Sequence, residues 1–369
     1  MDLTLVKPRG ACLPAPVPKN QPEDAGRRVS LRDIARRAKL SHATVSMALR
    51  DHPDIALKTR RLVGRLADEM GYRPDPLLRA LAEYRRGKKG PHYRATLAWI
   101  NNYPEPGELE RFYDFSLYRK WAEERAGELG FKLEEFTPVK DGLSPDKLRK
   151  ILLARGIHGL LLPPQPAGLS EWAFDFREFF AVTFGFSLKK PRLHVVANHQ
   201  FHSSLIAFRK LRDYGHRRLG FVINDNLDLR SDHAFTGGFL GAQNRLPPDE
   251  KIPVLVIKRP LHPDDWELFW GWFQEHRPEA IITELPTVRS FLEEKNIRVP
   301  EDVSVALMTM NDREPLWGGV NQNAGQIGRA AVDILAGMFY RNERGIPAMP
   351  HCMFVESSWQ DGPSVRKRL

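Results

Sequence analysis

His42, Ala43, Ser46, Met47 and Arg50 fall on one outward face of a short helical pattern, where they could read an edge but could not break a bond. Arginine and histidine offer hydrogen-bond donors, serine offers both a donor and an acceptor, and alanine and methionine offer only apolar contact. On the exposed face of a helix, that set suits base edges in a DNA groove. A second set lies far downstream, after apolar runs that read as strands: Asn102, Tyr103, Gln165, Phe184, Asn198, Asn224, Glu284, Asn311 and Asp312. Amides and carboxylates beside aromatic rings suit a small hydroxylated ligand, which stacks on the rings and exchanges paired hydrogen bonds. The motifs of phosphate loops, dinucleotide turns, zinc proteases and serine hydrolases do not occur. His351 and Cys352 are neighbours, but on a strand they point to opposite faces. A binding protein is expected, with no catalytic residue, metal or cofactor.

The first set needs a small helical scaffold, and residues 29–70 supply one. Leu31, Ile34, Ala35 and Ala38 form an apolar stripe, with Ser30 and Asp33 placed for a capping box. Val45, Ala48 and Leu49 form a second stripe, capped by Ser41. Leu62, Val63, Leu66 and Met70 form a third, closed by Gly71. Two short helices across a tight turn, braced by a third, predict a helix-turn-helix; the stripes alone would also fit any small three-helix bundle.

The order Asp33-Ile34-Ala35, Ala38, Ser41, Ala43-Thr44-Val45-Ser46, Leu49, Thr59-Arg60 and Gly71-Tyr72-Arg73-Pro74 resembles the DNA-binding head of the lactose/galactose repressor (LacI/GalR) family. This resemblance extends the expected DNA contacts to Ser30, Leu31, Ser41, Thr44, Thr59 and Tyr72. It also implies that Asp75–Arg86 is a hinge helix that orders on DNA, pairs with its copy in a dimer and wedges Leu81 into the minor groove. Three positions depart from the pattern: Lys39 replaces a turn glycine, Ala56 a capping serine, and Met47 a base-reading arginine.

Charge is partitioned along the chain. Residues 1–94 hold 21 Lys+Arg against 10 Asp+Glu; from totals of 56 and 46, that leaves 35 against 36 for the rest. A basic head on a neutral body is the electrostatic footprint of a protein that binds nucleic acid at one end. The two cysteines, Cys12 and Cys352, suggest no disulfide framework, which fits a reducing cytoplasm. There is no apolar run long enough for a membrane span. Residues 1–28, with five prolines, read as a disordered tail or as the product of a misassigned start.

From Ala95 onward, strand-like runs alternate with helix-length segments, which predicts parallel sheets covered by helices. The expected runs are 96–100, 132–136, 159–162, 181–184, 194–197, 219–223, 254–257, 280–282 and 303–308. Four patches resemble the same family's periplasmic-binding-protein-like body: Arg155–Leu162, Tyr214–Phe221, Val299–Val305 and Ile327–Leu335. The expected fold is an all-α head and hinge, then an α/β body of two doubly wound parallel-sheet subdomains. The expected boundaries are a tail at 1–28, the head at 29–74, hinge and linker at 75–94 and the body at 95–369. Within the body, 95–199 and 321–342 form one subdomain, and 200–318 and 347–365 the other. Chain crossings are expected near Asn198–Phe201, Gly318–Asn323 and Arg341–Pro347. The resemblance adds Phe235 and Asn321 to the ligand set; Phe235 stands where relatives often place an effector-gripping arginine, three residues before Gly238-Phe239. It implies a homodimeric, cytoplasmic transcription regulator, probed by a small sugar-like effector and acting on a pseudo-palindromic operator. The rival readings are a regulator with no ligand switch and a solute-binding module with a vestigial head.

Overall fold

The structure, a computed structural model, describes residues 29–49, 54–72, 95–258, 262–310 and 316–368. The expected tail and hinge, with Arg50, Leu81, Asn311 and Asp312, lie outside the described residues. Those described fall into two units, one within Met1–Gly90 and the other within Pro91–Leu369.

In the first unit, α1 (Leu31–Ala38), α2 (His42–Ala48) and α3 (Leu57–Glu69) enclose a small core of Ile34, Ala35, Val45, Ala48, Val63 and Ala67. The start of α1 follows from its sequence: Ser30 N–H and Oγ–H both donate to Asp33 Oδ2, at 2.9 and 2.6 Å. Ser41 Oγ accepts from the Thr44 N–H at 3.0 Å and starts α2. Lys39, in the glycine's place, takes a left-handed conformation with φ of 52°, so α1 still ends in a sharp turn. Ala56 supplies no side-chain cap to α3. One core assignment is corrected: Leu62 is 39% exposed. Val63 and Ala67, four residues apart, form the inward line of α3, and Leu62 sits on its flank.

The second unit is built from two six-stranded sheets. Its strands are β1 (Ala95–Ile100), β2 (Phe131–Phe136), β3 (Gly159–Leu162), β4 (Phe180–Phe184), β5 (His194–Asn198), β6 (Leu219–Asn224), β7 (Leu255–Ile257), β8 (Ala280–Thr283), β9 (Ser304–Met310), β10 (Gly318–Asn321), β11 (Cys352–Val355) and β12 (Ser358–Gln360). Its helices are α4 (Tyr113–Glu128), α5 (Pro145–Ala154), α6 (Gln200–Asp213), α7 (Asp225–Arg230), α8 (Ala234–Gln243), α9 (Pro263–His276), α10 (Thr287–Glu294) and α11 (Ala324–Arg341). The first sheet runs β11-β5-β4-β3-β1-β2 and the second β12-β10-β9-β8-β6-β7. Every pair is parallel except β10 with β12.

Each sheet is buried on both faces, as parallel strands require. On β1, Leu97 and Trp99 enter one core while Ala98 and Ile100 enter the other. The second sheet divides in the same way, with Phe221 and Ile223 on one side and Val222 on the other. Close helix approach depends on two glycines. A Cβ at Gly328 of α11 would lie 2.4 Å from the Tyr118 carbonyl oxygen of α4, and one at Gly238 of α8 would lie 2.2 Å from that of Phe201 in α6.

Two of the three expected crossings between sheets fall where the sequence suggests, from β5 into α6 and from β10 into α11. The third is corrected. The chain does not change sheets near Arg341–Pro347: β11 pairs with β5 of the first sheet, and the crossing comes between Val355 and Ser358. The Gly345 and Pro347 cluster marks an ordinary return loop, and the strand after it carries too little apolar pattern to reveal its sheet. The three crossings are tied together. Ser203 Oγ and Ser357 Oγ are 2.8 Å apart, Asn323 Nδ2 donates to the Glu356 carbonyl at 2.7 Å, and the His202 ring meets the Glu356 carboxylate.

Candidate nucleic-acid interface and effector cleft

In the head, α2 turns Val45 and Ala48 inward, which leaves His42 and Ala43 exposed and Thr44, Ser46 and Met47 half-buried. Met47 does not join the core cluster, so its thioether remains on the outer flank of the helix. Ser41 is exposed but engaged as the cap of α2, and Ser30 is engaged at the start of α1. Leu31 and Tyr72 are partly buried and pack against the core, so their first duty is structural. Thr59 is half-buried on α3.

Sequence reasoning passed over the flanking cations. Arg32, Arg36, Arg37 and Lys39 around the turn, with Lys58, Arg61 and Arg65 on α3, are all exposed. The contact of Arg36 with Asp33, at 3.7 Å, is a loose surface pair. Seven exposed cations around one small helical unit can hold phosphates and position α2. The run Arg36-Arg37 was the available signal.

In the body, the sequence-selected polar residues gather at the carboxyl ends of the strands, where α/β sheets bind ligands. On the first lobe, Asn102 donates to Gln165 Oε1 at 2.7 Å, while Gln165 Nε2 donates to the Pro163 carbonyl. Both side chains are buried, and Asn102 Oδ1 has no partner. Asn198, at the end of β5, is buried with Nδ2 unpartnered. The Tyr103 hydroxyl lies 3.5 Å from the Gln165 carbonyl; burial raises its pKa, and the nearby Arg230 opposes that rise.

On the second lobe, Asn224 is committed to structure. Its Oδ1 accepts from the Asn226 N–H and its Nδ2 donates to the Ile257 carbonyl. Asn321 Oδ1 similarly accepts from the Asn323 N–H at 2.8 Å. Glu284 is half-buried; its Oε1 accepts the Asn224 N–H and its Oε2 has no partner. Burial, with Asp228 nearby, pushes the Glu284 carboxyl up to about 7. Asp228 itself accepts from Thr236 Oγ1 and pairs with His233 Nδ1, each at 2.7 Å.

Two aromatic assignments are corrected. Phe184 is fully buried in the first lobe's core, stacked on Tyr118 with ring centroids 5.4 Å apart. Phe235 is 2% exposed in the second lobe's core beside Phe239. Neither presents surface to the cleft; a phenyl ring next to Gly238 gains more from core burial than from facing water. One contact between lobes was not foreseen: Lys189 pairs with Asp232. Helix α7, which ends at Arg230, carries no apolar period that would have revealed it.

Among the described residues no three His, Cys, Asp or Glu side chains come together to hold a metal, and no helix is long and apolar enough to cross a membrane.

Comparison with known proteins agrees with this geometry. Residues 30–75 match the profile of bacterial regulatory proteins of the lacI family, and residues 208–357 match that of the periplasmic binding protein-like domain. The HTH-type transcriptional repressor PurR of Klebsiella pneumoniae (strain 342) is 23% identical over 362 residues, covering 92% of this chain and 99% of that protein. The Lac repressor dimer bound to operator and the anti-inducer ONPF superposes with a TM-score of 0.52 at 16% identity, covering 92% of this chain and all of that one. The complex of transcriptional regulator CelR with cellobiose gives 0.51 at 18% identity, covering 91% of this chain and all of that one. With a lacI-family helix-turn-helix matched at one end and a periplasmic-binding-protein-like domain at the other, the chain carries the two domains that characterise LacI/GalR-type DNA-binding transcriptional regulators.

Proposed function

We propose that this regulator binds a pseudo-palindromic operator as a homodimer, and that a small hydroxylated effector in the cleft between its lobes sets its DNA affinity. The observation that carries the DNA half is α2 itself, which buries Val45 and Ala48 and leaves His42, Ala43 and Met47 toward the outside amid exposed cations. Two heads reach two half-sites only if the dimer holds them one helical turn apart. The Lac repressor relative is named as an operator-bound dimer, which supports that arrangement.

The effector half rests on the unpartnered polar atoms of Asn102, Asn198 and Glu284 at the strand ends. Buried polar atoms without partners are costly, and a ligand hydroxyl supplies what they lack. Relatives named with cellobiose and with ribose support a sugar-like class. A ligand that binds both lobes would shift their relative angle through the three tied crossings and so alter the spacing of the heads.

One observation favours the rival reading of a regulator without a ligand switch: the Asn102–Gln165 bond and the Lys189–Asp232 pair already satisfy part of the cleft. A melting-temperature screen of the whole chain against mono- and disaccharides separates the two. A ligand that raises the melting temperature and also changes operator affinity supports the switch. A ligand that does the first without the second supports the rival.

A further inference from the structure

Between α7 and α8 two consecutive residues other than glycine hold a left-handed backbone: Asp232 with φ of 51° and His233 with φ of 58°. Aspartate and histidine enter that region more readily than most side chains, but as single residues. Two in succession persist only where the surroundings over-determine them. Asp228, buried on α7, does so. One of its carboxylate oxygens pairs with His233 Nδ1 and the other accepts from Thr236 Oγ1, each at 2.7 Å. Its carbonyl accepts the His233 N–H at 2.8 Å and Ser231 Oγ–H at 3.0 Å. The turn so fixed delivers the Asp232 carboxylate to Lys189 Nζ on the first lobe. Lys189 stands on an equally fixed segment. Its N–H and that of Lys190 donate to the Ser170 carbonyl at 2.6 and 3.1 Å, Lys190 Nζ pairs with Glu171 at 2.9 Å, and Leu188 is buried in the core.

We propose that the turn between α7 and α8 is a latch: Asp228 holds it in its strained form so that Asp232 clasps Lys189 and keeps the two lobes together. If the turn served only to seat α8, glycine at 232 would adopt the same backbone with less strain. The position carries instead an exposed aspartate that takes no part in the Asp228 cluster and whose carboxylate meets the other lobe. An ordinary surface ion pair contributes little, because two loose side chains must be ordered to make it. Here one partner is short and both backbones are already fixed, so less freedom is lost on pairing. The pair joins the lobes through protein groups alone, so it biases closure independently of any ligand, and a ligand in the cleft adds to that bias. That closure in turn changes DNA affinity rests on the effector reading above; the latch itself does not.

The test is hydrogen exchange, read by mass spectrometry on the free full-length protein, at the strand-end amides of Asn101–Tyr103 and Ile223–Asp225, whose exchange follows the open population. Lys189→Glu and Asp232→Lys should each speed that exchange by on the order of two- to fivefold. The double variant, which rebuilds the pair with its charges reversed, should return to the parent rate. Added salt should speed exchange in the parent and leave the single variants unmoved. Asp232→Gly separates the latch from the fold: it should speed exchange as Asp232→Lys does, while its melting temperature does not fall, because glycine takes the left-handed turn without strain. Single variants that exchange like the parent, or a double variant as fast as the singles, overturn the latch. So does Asp232→Gly exchanging at the parent rate. Operator affinity, measured on the duplex that the parent selects, tests the other reading. Faster exchange in the single variants with unchanged operator affinity upholds the latch and overturns the coupling of lobe closure to DNA.

Discussion

At the scale of single residues, two side chains carry the sharpest consequences. Met47 lies on the outer flank of α2, half-buried and outside the core, where an arginine would offer a fork to guanine O6 and N7. Methionine makes only apolar contact, best suited to a thymine methyl. Met47→Arg should therefore move the selected base pair beneath it toward G·C by about 1–3 kcal/mol, read by selection from randomised duplexes with both proteins. Identical motifs from the two would place Met47 away from the DNA. Glu284 makes a prediction about pH. Its carboxyl is pushed up from the ordinary 4.5 to about 7, so the protonated form favours the folded body. That contribution is complete below the unfolded value, shrinks as pH rises between the two, and is gone above the folded one. Glu284→Gln should match the parent near pH 4 and exceed its stability near pH 8, by at most about 3 kcal/mol. Urea unfolding at the two pH values checks this; an equal difference at both would mean that Glu284 does not titrate in this range.

At the scale of elements, helix contacts and the hinge can be tested separately. A Cβ at Gly238 would collide with the Phe201 carbonyl oxygen, so Gly238→Ala should destabilise the body by about 1–3 kcal/mol as α8 is forced off α6. Unchanged urea midpoints would show that the two helices part freely. Leu81, outside the described residues, is the expected wedge; Leu81→Ala should cost a few kcal/mol of specific DNA affinity and leave the melting temperature of the body unchanged. Early melting of the body would make Leu81 a core residue. The elements that were legible from sequence are those with strong periods: the capped head helices and the nine apolar strands. β10, β11 and β12 were not, because Gly318-Gly319, the exposed run Cys352–Phe354 and a three-residue strand carry little period. The pair Gly237-Gly238 likewise disguised α8, since glycine weakens a helix signal even where close approach requires it. Within the site, the strand-end amides could be read from sequence. The burial of Phe184 and Phe235 and the Lys189–Asp232 pair could not, because each depends on which helix packs over which strand.

At the scale of the whole molecule, a basic head meets a near-neutral body, and the two are expected to do different work. Specific binding should fall steeply with salt as phosphate contacts release counterions. The most direct test of the central claim is a selection from randomised duplexes, run in parallel on the full chain and on a fragment beginning at Ala95. The full chain should enrich a two-fold symmetric motif with half-sites one helical turn apart, and the fragment, though folded, should enrich nothing. A fragment that retains the motif, or a full chain that binds all sequences alike, would contradict it.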